Sequence, residues 1–169
     1  MSSTNRSRIA RVALAAVLLA TGCRAADPTQ EAGEAEMTQR VHTQLMFEGQ
    51  AEEAMRLYVS AVPESRIVSI ERYGPGEDGP EGSVKHAVFS LMGEELRCID
   101  SFVAHEFTFT PAMSLFVTCR SEAELDALAA KLSEGGQTFM PLDSYGFSKR
   151  FTFFADRFGV SWQLNLPHD

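Results

Sequence analysis

Residues 150–166, Arg150-Phe-Thr-Phe-Phe-Ala-Asp-Arg-Phe-Gly-Val-Ser-Trp-Gln-Leu-Asn-Leu166, read as two strands joined at Phe158-Gly159. Alternation on the second strand sets Val160, Trp162 and Leu164 on one face and Ser161, Gln163 and Asn165 on the other. The same figure stands earlier in the chain. Ser83 to Leu91 and Glu94 to Asp100 read as a hairpin around Met92-Gly93. Upstream of each hairpin the order is also shared. Arg40 to Phe47 is a strand with Val41, Leu45 and Phe47 on one face and His42, Gln44 and Met46 on the other. Gln50 to Val62 is a helix with Ala51, Ala54, Met55, Tyr58 and Val62 at helical spacing, stopped by Pro63. Arg66 to Tyr73 is a strand, and Gly74 to Gly82 is a loop. In the second half Ala112 to Cys119 is a strand and Ser121 to Leu132 a helix, with Ser121 and Glu124 as a capping box. Gly135-Gly136 ends that helix, and Thr138 to Pro141 is a short strand. Each half is strand, helix, three strands. Leu45 precedes Gly93 by 48 positions and Leu115 precedes Gly159 by 44, which is an internal duplication. One half leaves sheet edges and a face bare, so the two should pair.

Composition bounds the partners. The chain has 169 residues, 23 acidic against 15 basic, and a formal net charge of −8. That balance argues against a nucleic-acid partner, since phosphate contact needs clustered Lys and Arg. Three cysteines are too few for a disulfide framework. Cys98 and Cys119 read as core residues, with a bridge between them the alternative.

Residues 1–22 stand apart. Arg6, Arg8 and Arg11 are their only charges, followed by the apolar run Val12 to Ala20. This is the form of a secretory signal peptide, and the run is too short to span a bilayer. Without these residues, twelve basic side chains face the same 23 acidic ones. Ala20-Thr21-Gly22-Cys23, with Leu19 before it, resembles a bacterial lipobox. The resemblance implies cleavage before Cys23 and a lipid on its thiol; ordinary secretion with cleavage near Ala25 or Ala26 is the alternative. It places the mature chain on the periplasmic side of the bacterial envelope. Arg24, standing where Asp would mark inner-membrane retention, favours the outer membrane. Residues 23–38 read as the lipid-bearing Cys and a flexible linker. Residues 39–169 are then the domain, with modules about 39–104 and 105–169.

Several stretches resemble one family. They are Leu45-Met-Phe-Glu-Gly-Gln-Ala-Glu-Glu-Ala54 with Tyr58, Ser65-Arg66-Ile67, Arg72-Tyr73-Gly74, Phe107-Thr-Phe-Thr-Pro-Ala112, Leu132-Ser-Glu-Gly-Gly136, Met140-Pro-Leu142 and Asp156 to Leu164. Together they resemble the PhnB-like branch of the vicinal-oxygen-chelate superfamily, which includes glyoxalase I, bleomycin-resistance proteins and extradiol dioxygenases. The resemblance implies an α+β fold: two tandem βαβββ modules forming a cupped eight-stranded mixed sheet with helices on the convex face. It also implies a small-molecule ligand in the concave cleft and a homodimer.

Metal-dependent members place ligands on the first and last strand of each module. Carried onto this chain, those slots fall on His42, on Arg97 (or Cys98 if the register slips by one), on Ala112 and on Gln163. Ala cannot ligate, Arg is cationic and Gln is a weak ligand, so no metal and no cofactor is expected. Strand parity lines the cleft with His42, Gln44, Val84, His86, Val88, Ser90, Glu95, Arg97, Ser114, Phe116, Gln163 and Asn165. His42 or His86 would serve as a base and Arg97 would steady an anion, if there is catalysis. The plainer reading is a binding cleft in which Glu95 pairs with Arg97. His105-Glu106 reads as surface or dimer seam. Three functions follow: a binder that sequesters or senses a small molecule, an isomerase or lyase acting on an oxygenated substrate, or a dimerisation module with a vestigial cleft filled by Met46, Phe116 and Phe154.

Overall fold

Met92 and Gly93 both take positive φ, 50° and 93°. That is the mirror-image turn whose twist matches the flanking strands, and it closes the hairpin of β3 (Val84–Leu91) and β4 (Glu94–Asp100). A computed structural model describes residues 39–168 and builds outward from this hairpin and its counterpart. The first module adds β1 (Thr43–Phe47), α1 (Ala51–Ala61) and β2 (Arg66–Arg72). The second runs β5 (Ser114–Thr118), α2 (Glu122–Leu132), β6 (Gln137–Tyr145), β7 (Ser148–Ala155) and β8 (Ser161–Leu166). The α+β order of two βαβββ modules is as read from the sequence. The eight strands form two mixed sheets of four, β1-β4-β3-β2 and β5-β8-β7-β6, each with one parallel pair. Between β1 and β5 there is no ladder. Thr108, Phe109 and Thr110 line a gap there with Thr43–Leu45 and Met113–Leu115.

Three local expectations change. Val41 is fully exposed and lies before β1, so it leaves the packed face to Leu45 and Phe47. Val84 was placed in the cleft by strict alternation. A register shift between Glu71 and Arg72 of β2 flips it into the core, at 1% exposure. The short strand at Thr138–Pro141 is instead nine residues long. It passes through Pro141 with repeated register shifts and turns at Gly146-Phe147 into β7. Pro141 is tolerated because β6 is an edge strand.

Both helices pack on one side of the sheets and share one core. Tyr58 of α1 is fully buried, with its ring 5.0 Å from that of Trp162 in β8. Its hydroxyl donates to Asp156 Oδ2 at 2.7 Å, and Trp162 Nε1 donates to the same oxygen at 2.9 Å. The backbone N–H groups of Phe158 and Val160 donate to Asp156 Oδ1. One buried carboxylate thus ties a helix of the first module to the β7–β8 turn of the second. Lys131 Nζ of α2 adds a bond to Ser60 O at the C-terminal end of α1, where a cation is favoured.

The helices start differently. Ser121 Oγ accepts from Glu124 N, as the capping box requires, but the Glu124 carboxylate reaches Arg120 N rather than closing back on Ser121. For α1, Gln50 gives no side-chain cap. Buried Asp100, at the end of β4, accepts from Ala51 N and Val84 N instead.

Glu52 in the first turn of α1 meets Arg72 at 2.6 Å and Arg56 at 2.7 Å. The Arg72 hydrogen bond first, and then Arg56, hold its carboxyl at about 2, below its ordinary 4.5. A depressed carboxylate contributes stability above its unfolded pKa and loses it as pH falls through the folded one. The window here is about pH 4.5 down to 2. Arg72 and Arg56 are solvent-exposed, so screening leaves about 0.5–1 kcal/mol. Glu52→Gln should therefore melt below the parent at pH 7 and match it near pH 2 in thermal scans. An equal gap at both pH values would refute this.

Candidate functional site

The face opposite the helices carries the candidate cleft, and its two halves differ in chemistry. In the first module, pairing aligns Gln44 of β1 with Arg97 of β4 and Val88 of β3, and Glu95 with Ser90. His86 pairs with Glu71 of β2. His42 stands one residue before β1, its Nδ1 3.5 Å from Glu95 Oε1. The expected Glu95–Arg97 pair does not form: Glu95 turns to His42. Cys98 is fully buried in the core, so the register leaves Arg97 on the cleft face. The Arg97 Nε is buried with no acceptor.

The second module is aromatic. Phe116, Met140, Phe147, Phe151 and Phe153 enclose, with Gln163 and Asn165, a cavity of about 560 Å³. This lies within the range of small-molecule pockets. Pairing explains the grouping, because Phe116, Gln163 and Phe153 stand side by side on β5, β8 and β7. Gln163 Nε2 donates to Ser114 Oγ at 2.7 Å, which fixes the amide and turns its carbonyl away from that bond. Phe154, which would help to fill a vestigial cleft, is in the core with Trp162.

Gln44 and Ser114 both line the gap between β1 and β5, where the two halves adjoin. A further cavity of about 370 Å³ was not foreseen. Gln44, Met46 and Glu48 form one wall, and His105, Phe107 and Phe109 of the inter-module segment form the other. His105 Nε2 lies 2.8 Å from Ser101 Oγ, its backbone N–H donates to the Glu48 carboxylate, and its ring stacks on Phe107. No periodicity marks this segment, because it has no regular secondary structure to impose one.

Cys98 and Cys119 are both free and buried. Burial pushes their thiols up, to about 12 and about 11, which makes them poor nucleophiles at neutral pH.

Comparison with known proteins decides the family. The family model for 3-demethylubiquinone-9 3-methyltransferase matches residues 39–165. A PhnB protein from Bacillus cereus, described as a putative 3-demethylubiquinone-9 3-methyltransferase, is 56% identical, covering 76% of this chain and 99% of that one, with a TM-score of 0.74. The chain belongs to the PhnB-like family. A Pseudomonas aeruginosa protein is 26% identical over 78% of the PhnB-like chain and 100% of its own, with a TM-score of 0.67. A glyoxylase/bleomycin resistance protein/dioxygenase domain from Frankia is 14% identical, covers 79% and 94%, and shares the fold at a TM-score of 0.55. No curated protein matches.

The metal slots that the resemblance implies can now be tested on this PhnB-like chain. Counting four residues from Gly93 and from Gly159 equates Arg97 with Gln163. The β3–β4 turn has two residues, whereas 156–160 separate Ala155 from its partner Ser161. With Met46 of β1 set against Phe116 of β5, strand pairing sets Gln163 against Ile99, since Gln163 pairs with Phe116 as Ile99 pairs with Met46. Ala112 lies in the turn before β5. Ile99 and Ala112 have no donor atom, Gln163 offers one neutral oxygen, and His42 is alone. Among the described residues no three His, Cys, Asp or Glu side chains come together. These residues do not fit a divalent transition metal.

Proposed function

We propose that this PhnB-like chain is an exported, lipid-anchored protein that binds a small molecule on its concave face without a typical metal. The observation that carries the reading is the aromatic cavity of the second module. It is open because Phe116 is 56% exposed and Phe154 is withdrawn into the core. A vestigial cleft would be filled by those side chains. Five apolar walls and two amides suit a ring with one or two polar substituents. Methyl transfer, which the family description names, finds no support in the strand-to-helix turns. They are Glu48-Gly49-Gln50 and Cys119-Arg120-Ser121, neither a glycine-rich turn that would admit a nucleotide-like cofactor. Isomerase or lyase chemistry ranks second. A base is present in His42, but its 3.5 Å contact with Glu95 is long, and no nucleophile accompanies it.

Export and the anchor rest on residues 1–38, among them Cys23, which lie outside the described residues. The reading includes the outer membrane as the anchored surface and a homodimer. Phe102, Val103, Phe107 and Met113 expose apolar area on the segment between the modules that a second copy would cover.

Native mass spectrometry of membrane-extracted protein from its own host tests the whole reading. The expected species begins at Cys23, carries a diacylglyceryl mass and retains a small molecule that Phe116→Ala loses. Recovery as an unmodified chain would refute the anchor. An empty cleft, or a ligand retained in F116A, would refute the site.

A further inference from the structure

We propose that Arg97 is the anion receptor of the cleft and that the bound small molecule carries an oxyanion, a carboxylate or a phosphonate-type group. The proposal rests on the concave face being the binding site and adds the charge class of its ligand. Arg97 sits mid-strand on the cleft face between Gln44 and Val88. Its Nε is buried without an acceptor, and among the described residues no carboxylate pairs with it. An uncompensated buried donor on a permanent cation is costly, and an anion relieves that cost. Carboxylates are not scarce here. Acidic residues outnumber basic ones, and Arg72, Arg150 and Arg157 each hold a carboxylate oxygen within 2.8 Å. The neighbouring candidate, Glu95, is turned toward His42.

The internal repeat adds a second observation. Arg97 pairs with Gln44, and in the other module Ser161 pairs with Ser114 at the equivalent place. Ser161 Oγ is the other buried side-chain atom without a partner among the described residues. The repeat therefore leaves the same register position of each module with an unused donor. A guanidinium fork matches a planar carboxylate or a tetrahedral oxyanion with two parallel hydrogen bonds.

Calorimetric titration of the full chain with phenylphosphonate, benzoate and benzyl alcohol tests this, with thermal melting of each variant. The expected result is that an anionic probe binds about tenfold or more tighter than benzyl alcohol, since hydrogen bonds to charged groups are worth ~1.5–3 kcal/mol. Arg97→Gln should erase the preference for the anions over benzyl alcohol, and Arg97→Lys should keep part of it. The stronger of the two anions identifies the oxyanion type. If R97Q fails to fold, the preference in the parent and its partial retention in R97K carry the result. Equal binding of all three probes by the parent, or an unchanged preference in folded R97Q, would overturn the proposal and leave the cleft standing. No binding of any probe would take the cleft down with it.

Discussion

Asp156→Ala should lose about 4 kcal/mol or more of folding stability, the largest effect expected from removing one polar group. Four donors converge on this carboxylate: Tyr58 Oη, Trp162 Nε1 and the backbone N–H groups of Phe158 and Val160. Each buried donor left without an acceptor costs ~1–3 kcal/mol. Water entering the vacated space would recover part of that. Asp156 is only 3% exposed, and burial pushes its carboxyl above the usual range even against all four donors. The ionised group is therefore held at some expense, and the donors are what make it tolerable. Asp156→Asn should fall between parent and Ala. Its carbonyl oxygen still serves the backbone N–H groups, and the Tyr58 hydroxyl can rotate to accept from the new amide. Trp162 Nε1–H has no lone pair and is left facing a donor. Trp162 is the sole tryptophan, so urea unfolding followed by its fluorescence reads all three proteins. A loss below ~1 kcal/mol in D156A would mean that the hub contributes little beyond an ordinary hydrogen bond.

The second large effect is steric. Gly136→Ala should prevent folding or cost more than ~3 kcal/mol, as severe overpacking does. A Cβ at Gly136 would overlap the carbonyl oxygen of Ala155 and lie 3.0 Å from the carbonyl carbons of Ala155 and Asp156. Those are backbone atoms, so no rotamer change relieves them. Gly135→Ala is the control. Gly135 has φ of 72°, and its added Cβ would meet only the Arg157 side chain, at 3.4 Å. That residue pays for left-handed backbone alone, roughly 1–2 kcal/mol. Circular dichroism melts of the two variants should separate clearly. Similar midpoints would show that the backbone where β6 begins beside the end of β7 yields more than its packing implies.

The contrast between these adjacent glycines shows where sequence reading stops. Both read as a helix terminator, and only the fold reveals that one clears a turn and the other clears a strand. Elements governed by local chemistry were legible. Met92-Gly93 needs positive φ, Ser121 caps its own helix, and alternation on β8 separates Trp162 and Leu164 from Gln163 and Asn165. Features that depend on distant partners were not. Asp100 caps a helix 49 residues upstream, Val84 changes face because its neighbouring strand is out of step, and β6 keeps going through a proline because its outer edge is free. The candidate site divides the same way. Parity places Arg97, Phe116, Gln163 and Asn165 on one face, and Phe151 and Phe153 read as core or cavity wall, yet neither reading shows that Glu95 prefers His42 or that Met140 and Phe147 join those rings.

The Tyr58–Asp156 contact has a consequence for the history of the chain. Tyr58 is the eighth residue of its helix, and the eighth residue of the other helix is Ala129. The acceptor, likewise, stands in a five-residue turn where the first half has two. The donor exists only in one half and the acceptor only in the other. The repeats have become a plug and a socket, no longer exchangeable copies. A tandem of two first halves would offer two tyrosines and no carboxylate, and a tandem of two second halves would offer the reverse. Neither half can therefore be replaced by a second copy of the other without losing that bond, although both keep the same order of strands and helix.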